Sequence, residues 1–133
     1  MSSWCDYKIE RVIGKGSFGI VYLGKKNQTN KKYAIKKINL ENMHHYDRRN
    51  LVNEIKLLTS HNCPFIISFI SAFVHVGSLC LVTEYAQKGD LHVLIKSKEA
   101  SNTKFTEDEI WHYFIQICMG IKYLHANNIV HRD

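Results

Sequence analysis

The sequence predicts an α+β fold, because its apolar residues change period along the chain. Residues 7–13 alternate apolar with polar side chains, which is typical of a half-buried strand. Leu51, Ile55 and Leu58 recur at spacings of four and three, which is typical of one face of a helix. A longer helical pattern begins at Thr106. The chain therefore combines an antiparallel sheet with helices.

The first forty residues predict a three-stranded antiparallel meander. Its strands are expected over residues 7–13, 20–23 and 32–38. A glycine cluster separates the first two strands, and a polar segment, residues 25–32, predicts the second turn. The period then changes, which predicts a helix over residues 47–59.

The remaining residues predict two strands and two helices. The strands are expected over 65–74 and 79–82 with a turn at 75–78, and a short helical pattern at 91–95 precedes a polar loop at 97–103. Thr106 and Glu109 form a capping-box pattern. One apolar face follows on this last helix, made of Ile110, Phe114, Ile117, Ile121 and Leu124.

The composition of the chain limits the classes of partner that we expect it to bind. The net charge of +6 comes from lysines that are scattered, without arginine-rich blocks, so we expect no nucleic-acid partner. The most apolar stretch, residues 64–76, is shorter than the roughly 20 residues of a bilayer span, so we expect no membrane partner.

Four widely spaced cysteines fit reduced thiols better than a disulfide framework or a zinc site. No signal peptide is visible, and we expect a cytoplasmic location, with the nucleus and the cytoskeleton as alternatives.

The glycine cluster G-x-G-x-x-G, made of Gly14, Gly16 and Gly19, lets backbone N–H groups approach phosphates. Two alternatives are a plain hairpin turn and a dinucleotide-binding loop. In a dinucleotide-binding site, a helix follows the glycine loop directly, and an acidic residue stands about 20 positions after the loop. Here a strand pattern follows, and Lys36 stands 17 residues after Gly19.

Lys36 is the candidate phosphate-binding cation. Strand alternation puts it on the same side as Ala34 and puts Lys37 on the opposite side. Glu54 borders the inward face of the predicted helix and is the candidate partner of Lys36, although a solvated helix glutamate is the commoner situation.

The ordered set of motifs resembles the protein kinase family. It comprises the glycine cluster, Tyr33-Ala34-Ile35-Lys36, Glu54 and the terminal His131-Arg132-Asp133. The resemblance implies a partial kinase domain over 7–133. It divides into a small lobe (7–83) with a five-stranded antiparallel sheet and one helix, a hinge (84–90) and the start of the large lobe (91–133). Gly89-Asp90-Leu91 and Phe105-Thr106-Glu107 look like NIMA-related serine/threonine kinases.

The resemblance also implies roles for single residues. Asp133 would be the catalytic base, with His131 a packing residue, and Arg132 would lack its usual activation-loop partner. Adenine would bond the backbone of Glu84 and Ala86, so that side-chain identity matters little there. Asp90 is either a ribose contact or a helix N-cap. The implied ATP-binding residues are Ile13, Gly14, Gly16, Ser17, Phe18, Gly19, Val21, Ala34, Lys36, Thr83 (the gatekeeper position), Glu84, Ala86 and Asp90.

The implied activity is transfer of the ATP γ-phosphate to serine or threonine hydroxyls of proteins. The family also needs Mg²⁺, held by an Asn and by the Asp of D-F-G, and both would lie beyond residue 133. No metal ligand is therefore expected here, and we expect the chain alone to be inactive. The alternative is a short nucleotide-binding or kinase-binding module without phosphotransfer.

Overall fold

A computed structural model describes residues 2–16, 19–41, 43–44, 49, 51–52, 55 and 63–130. The chain divides into two compact units, which are described one at a time. The first unit comprises residues 1–62 and 67–85, and the second comprises residues 63–66 and 86–133.

The first unit is built on a five-stranded sheet, which confirms the predicted fold class. The strands are β1 (Tyr7–Gly16), β2 (Gly19–Lys26), β3 (Lys32–Asn39), β4 (Phe69–His75) and β5 (Ser78–Glu84). Their order is β1-β2-β3-β5-β4, and every neighbouring pair is antiparallel. The strand β3 is therefore central, with a neighbour on each side.

The strict alternation predicted for the first strand is wrong beyond Ile9. The register of β1 against β2 shifts between Ile9 and Arg11 and again between Val12 and Gly14. Each shift is a bulge or irregularity that changes which face the following side chains occupy. Sequence periodicity could not show this, because a bulge depends on the partner strand.

Apolar side chains form two clusters in the first unit. In the first, Tyr7, Ile35, Cys80 and Val82 are buried, and aromatic residues pack against them. In the second, Leu81 and Ile38 pack with Leu51, which is helical, as is the neighbouring Ile55. Since Leu81 and Val82 are consecutive in β5, the clusters lie on opposite faces of the sheet.

The N-terminal residues add a short 3-10 helix, Trp4–Asp6, which the sequence patterns did not predict. The turn between β2 and β3 holds it, since the Asn27 backbone N–H donates to the Asp6 carbonyl at 2.9 Å. Trp4 stacks on His75 with ring centroids 5.0 Å apart. The first strand is thus anchored to the sheet by a preceding segment.

The β4–β5 hairpin turns at Val76 and Gly77, as predicted for residues 75–78. Both residues have positive φ, 44° and 63°, which matches the twist of a two-residue hairpin turn. The strand β4 begins at Phe69, later than the predicted residue 65, because Cys63–Ile66 form a turn closed by a 3.1 Å hydrogen bond from the Ile66 N–H to the Cys63 carbonyl.

The second unit contains two helices, α1 (Leu91–Ala100) and α2 (Glu107–Ala126). The first is longer than the predicted pattern at 91–95 and takes up part of the expected loop at 97–103. The predicted capping box of α2 is confirmed: the Thr106 hydroxyl accepts from the Glu109 N–H at 3.2 Å, and the Glu109 carboxylate accepts from the Thr106 N–H at 2.9 Å.

Much of the apolar surface of α2 is exposed in this chain. The exposed residues of α2 include Ile110, Trp111, Phe114, Ile115, Ile117, Met119 and Ile121. Within the part of the chain that the structure describes, no helix combines the length and apolar character needed to cross a bilayer.

Candidate functional site

The candidate site in the first unit lies on one face of the sheet. Residues that are direct partners across antiparallel strands share a face. Val21 pairs with Lys36, and Ala34 lies between Leu23 on β2 and Thr83 on β5. The register therefore brings four predicted site residues together: Val21, Ala34, Lys36 and Thr83.

Leu23 shares this face but was not among the predicted site residues. It is only 2% exposed, whereas Val21 and Ala34 are half-buried and keep surface for a ligand. Its position two residues after Val21 in the same strand was the signal that could have placed it here. Because Leu23 is buried, it packs beneath this face and does not form part of the surface that a ligand would contact.

The two neighbouring lysines lie on opposite faces, as strand alternation predicts. The Lys37 Nζ lies 5.5 Å from the centroid of the Trp4 ring, on the face of the first apolar cluster. Lys36 pairs in register with Leu81 of the second cluster. That cluster includes the helical residues Leu51 and Ile55, so the Lys36 face is the one that this helical segment covers.

The glycine hairpin closes at the pair Gly16 and Gly19. Gly19 has a φ of 151°, and a Cβ there would stand 2.1 Å from the Lys37 carbonyl oxygen. Because that oxygen belongs to the backbone of β3, it cannot move aside cheaply. The absence of a side chain at Gly19 is therefore required by the fold itself.

Gly14 and Gly16 lack such a structural reason. A Cβ at Gly14 would make ordinary contact with Val21 at 3.6 Å, and one at Gly16 would meet no atom of the described residues within 4 Å. Neither has a positive φ. Space left open on both residues is what close approach of a ligand to the backbone requires.

Glu84 is held at the start of the predicted hinge. Its N–H donates to the Ser68 carbonyl at 2.9 Å, and its Oε1 accepts from the Ser68 N–H at 2.9 Å. The Thr83 hydroxyl donates to the Glu84 carbonyl at 3.3 Å. The side chain and the backbone N–H of Glu84 are therefore both engaged within the fold, while its role toward adenine stays a prediction.

Ala86 and Asp90 belong to the second unit. The Ala86 carbonyl accepts from the Gly89 N–H at 3.1 Å, which closes a turn in which Gly89 has a φ of 76°. The Asp90 Oδ1 accepts from the Val93 N–H at 2.8 Å, so the predicted N-cap is confirmed. A carboxylate has about four acceptor positions, so the cap leaves capacity for a ribose hydroxyl, which stays a prediction.

Other predicted residues lie outside the described part of the chain: Ser17, Phe18, Glu54, His131, Arg132 and Asp133. The Lys36–Glu54 pair and the role of Asp133 therefore stay predictions. Ile13 is half-buried on β1, within the second register shift, between Val12 and Gly14. Among the described residues, no group of His, Cys, Asp or Glu side chains could hold a metal ion.

The sequence of the chain is similar to known protein kinases. A family model described as the protein kinase domain matches residues 7–133. The chain is 36% identical to serine/threonine-protein kinase Nek1 of Mus musculus over 121 residues, which is 91% of this chain and 10% of that protein. It is also 36% identical to serine/threonine-protein kinase nekl-2 of Caenorhabditis elegans (96% of this chain, 38% of that protein) and to serine/threonine-protein kinase Nek5 of Homo sapiens (96% and 18%). The chain thus spans well under half the length of these relatives.

Proposed function

Because this chain belongs to the protein kinase family and its relatives are NIMA-related kinases, we propose that it is the ATP-binding part of a serine/threonine protein kinase. The reaction is transfer of the ATP γ-phosphate to hydroxyl groups of protein substrates. The observation that carries the proposal is the face of the sheet on which Val21, Ala34 and Lys36 meet, beside a glycine hairpin with open backbone.

On this proposal, different residues of the sheet bind the phosphates and the adenine ring of the nucleotide. The backbone of Gly14 and Gly16 approaches the phosphates, since no Cβ stands between the N–H groups and a ligand. Lys36 supplies a positive charge that neutralises the phosphates. Val21 and Ala34 provide apolar contact for the adenine ring.

The hinge contributes backbone groups to adenine recognition. Because the Glu84 N–H is engaged by Ser68, its carbonyl oxygen is the group left to accept from the adenine amine. A carbonyl oxygen has two lone pairs, so the 3.3 Å contact with the Thr83 hydroxyl leaves room for a second donor. The backbone N–H of Ala86, the other expected adenine contact, stays a prediction.

Phosphoryl transfer itself needs groups that position the reactants and neutralise charge. We propose that Glu54 orients Lys36, and that Asp133 accepts the proton of the substrate hydroxyl. Mg²⁺, which the family uses, neutralises phosphate charge when it is bound. Its expected ligands, an Asn and the Asp of D-F-G, are not among these 133 residues, so we propose that this chain binds ATP without transferring phosphate.

The test compares two neighbouring lysines. Lys36→Gln removes the cation from the proposed nucleotide face, whereas Lys37→Gln removes the same charge from the opposite face. We expect Lys36→Gln to weaken ATP binding about tenfold, equivalent to about 1.4 kcal/mol, and Lys37→Gln to leave it within about twofold. Isothermal titration of the purified chain with ATP measures both affinities.

Thermal unfolding of both variants serves as the control, since Lys37 contacts the Trp4 ring. Equal losses of ATP affinity in two folded variants would contradict the assignment of Lys36. Absence of ATP binding by the folded wild-type chain would contradict the proposed function itself.

A further inference from the structure

Three lysines face one another across three neighbouring strands. Lys8 on β1 is the register partner of Lys25 on β2, and Lys25 is the register partner of Lys32 on β3. Direct partners in antiparallel strands share a face, so all three side chains leave the sheet on the same side. We call Lys8, Lys25 and Lys32 the lysine row.

The lysine row carries more positive charges than the carboxylates of the described residues neutralise. Lys32 forms an ion pair with Glu10, whose Oε2 lies 3.4 Å from the Lys32 Nζ. With the residues that the structure describes, neither Lys8 nor Lys25 forms an ion pair. Like charges on directly opposite residues destabilise a sheet. Three lysines and one glutamate therefore leave a net positive charge at this part of the face, which an anionic ligand would offset.

The lysine row does not include the residues that are proposed to bind the nucleotide. Lys25 follows Leu23 by two residues, and Lys32 precedes Ala34 by two, which places the row about 6.6–6.8 Å along the strands from that pair. Lys36 is a further two residues away on β3. The row lies at the end of the sheet beside the β2–β3 turn, and Lys8 and Lys32 are exposed there.

The surroundings of the row favour one class of anion. The nearby aromatic residues Tyr7, Tyr22 and Tyr33 pack in the first apolar cluster, on the other face of the sheet. Those three rings are therefore on the wrong face to stack against single-stranded nucleic acid bound at the row. Recognition of anionic membranes typically uses clusters of four to eight basic residues, and only three strand lysines lie at this end of the face, since Lys26 pairs with Tyr7 on the opposite face.

We propose that the lysine row docks an acidic, extended segment of a partner protein. Neighbouring strands are about 4.7–4.9 Å apart, so the three lysines span about 9.5 Å. Two carboxylates at alternate positions of an extended peptide, about 6.6–6.8 Å apart, fit within that span and can each lie between two ammonium groups. Charge complementarity is the basis of the match, and the interaction weakens as salt rises.

The experiment measures binding of a fluorescein-labelled hexaglutamate peptide to the purified chain by fluorescence anisotropy at low salt, with hexaglutamine as the uncharged probe. The test variant is Lys8→Gln/Lys25→Gln. The matched control is Lys104→Gln/Lys122→Gln, which has the same net charge and changes two exposed lysines of the second unit. We expect the test variant to lose on the order of tenfold in affinity, since exposed ion pairs contribute about twofold to fivefold each.

The melting temperature separates docking from a structural role. Removing like charges from the row should leave the melting temperature of the test variant unchanged or raised while binding falls. Equal losses of affinity in the two double variants would show diffuse charge attraction and overturn the proposal. Absence of hexaglutamate binding by the wild-type chain would overturn it too. So would binding to phosphatidylserine vesicles that depends on the row, without any row-dependent binding of the peptide.

Discussion

At the scale of single residues, the glycines of the β1–β2 hairpin lack side chains for different reasons. Gly19 is required by the fold, because β3 passes so close that a Cβ would overlap the Lys37 carbonyl. Gly16 has open space around it and no positive φ, so the fold does not require glycine there. The motif therefore contains one structural glycine and one that is free to serve a ligand.

This difference predicts opposite effects of alanine at the two positions. Gly19→Ala should destabilise the protein by more than about 1 kcal/mol, because alanine is incompatible with this backbone. Gly16→Ala should stabilise it by about 0.4–1 kcal/mol, since alanine restricts the unfolded chain, yet it should weaken ATP binding. Urea unfolding and ATP titration measure the two effects. A Gly16→Ala variant with unchanged ATP affinity would argue against phosphate contact at this backbone position.

Glu84 shows how a residue expected to act through its backbone can also need its side chain. Its carboxylate and N–H both bond Ser68, so it ties the end of β5 to the residue that precedes β4. The contact spans 16 residues of sequence. Such a long-range contact leaves no local pattern, which is why sequence analysis did not find it.

At the scale of elements, the start of α2 is fixed by charge as well as by its capping box. Lys98 lies on α1, and its ammonium donates a hydrogen bond to the Glu109 Oε1 at 2.9 Å. This hydrogen bond, together with that from the Thr106 N–H, holds the pKa of the Glu109 carboxyl below its ordinary value of 4.5. The two helices of the second unit are thereby linked at the point where α2 begins.

The lowered pKa predicts an acid-sensitive link. A group with a lower pKa in the folded state stabilises the protein above its unfolded pKa, and this stabilisation is lost as the pH falls through the folded pKa. Glu109→Gln should therefore lower the melting temperature at pH 7, and the difference from wild type should shrink below pH 4.5. Melting curves from pH 7 to pH 3 measure this trend.

Asp108→Asn is the matched control for this prediction, because it removes the same charge from the same first turn of α2. Its effect should be smaller, since it leaves the capping box and the Lys98 contact in place. A Glu109→Gln effect that equals the control at every pH would contradict the link.

At the scale of the whole molecule, the chain carries the residues proposed to bind a nucleotide on a five-stranded sheet, and two helices follow the sheet in the sequence. Its second helix exposes a broad apolar surface. The match covers between 10% and 38% of the length of its kinase relatives. Binding and transfer can therefore be tested separately.

We predict that the purified 133-residue chain binds ATP and transfers no phosphate. The physical reason is that the expected Mg²⁺ ligands are absent from these residues, so the charge that develops on the phosphoryl group would be poorly neutralised. Incubation with radiolabelled ATP, Mg²⁺ and a generic protein substrate measures transfer. Label on the substrate that disappears with Asp133→Asn would contradict the prediction and would instead support Asp133 as the base.

Local patterns predicted much of the fold. Alternation and turn residues located the strands, and Thr106 with Glu109 marked the start of α2, because these signals depend on neighbours in sequence. The 3-10 helix at Trp4 and the bulges of β1 were not predicted. The bulges depend on the partner strand β2, which lies farther along the sequence. The 3-10 helix combines its distant contact with Asn27 and a local one, in which the Ser3 N–H donates to the Asp6 carboxylate at 2.7 Å.

The sequence by itself determined which residues could serve a nucleotide site, since the order of the glycine hairpin, Lys36 and the later motifs is a property of the chain alone. Only the tertiary structure decided which of them share a face and which glycine the fold requires. It also aligned Lys8, Lys25 and Lys32 across three strands. The physical reason is register: hydrogen bonds between strands bring distant residues opposite one another, and no local period encodes that pairing.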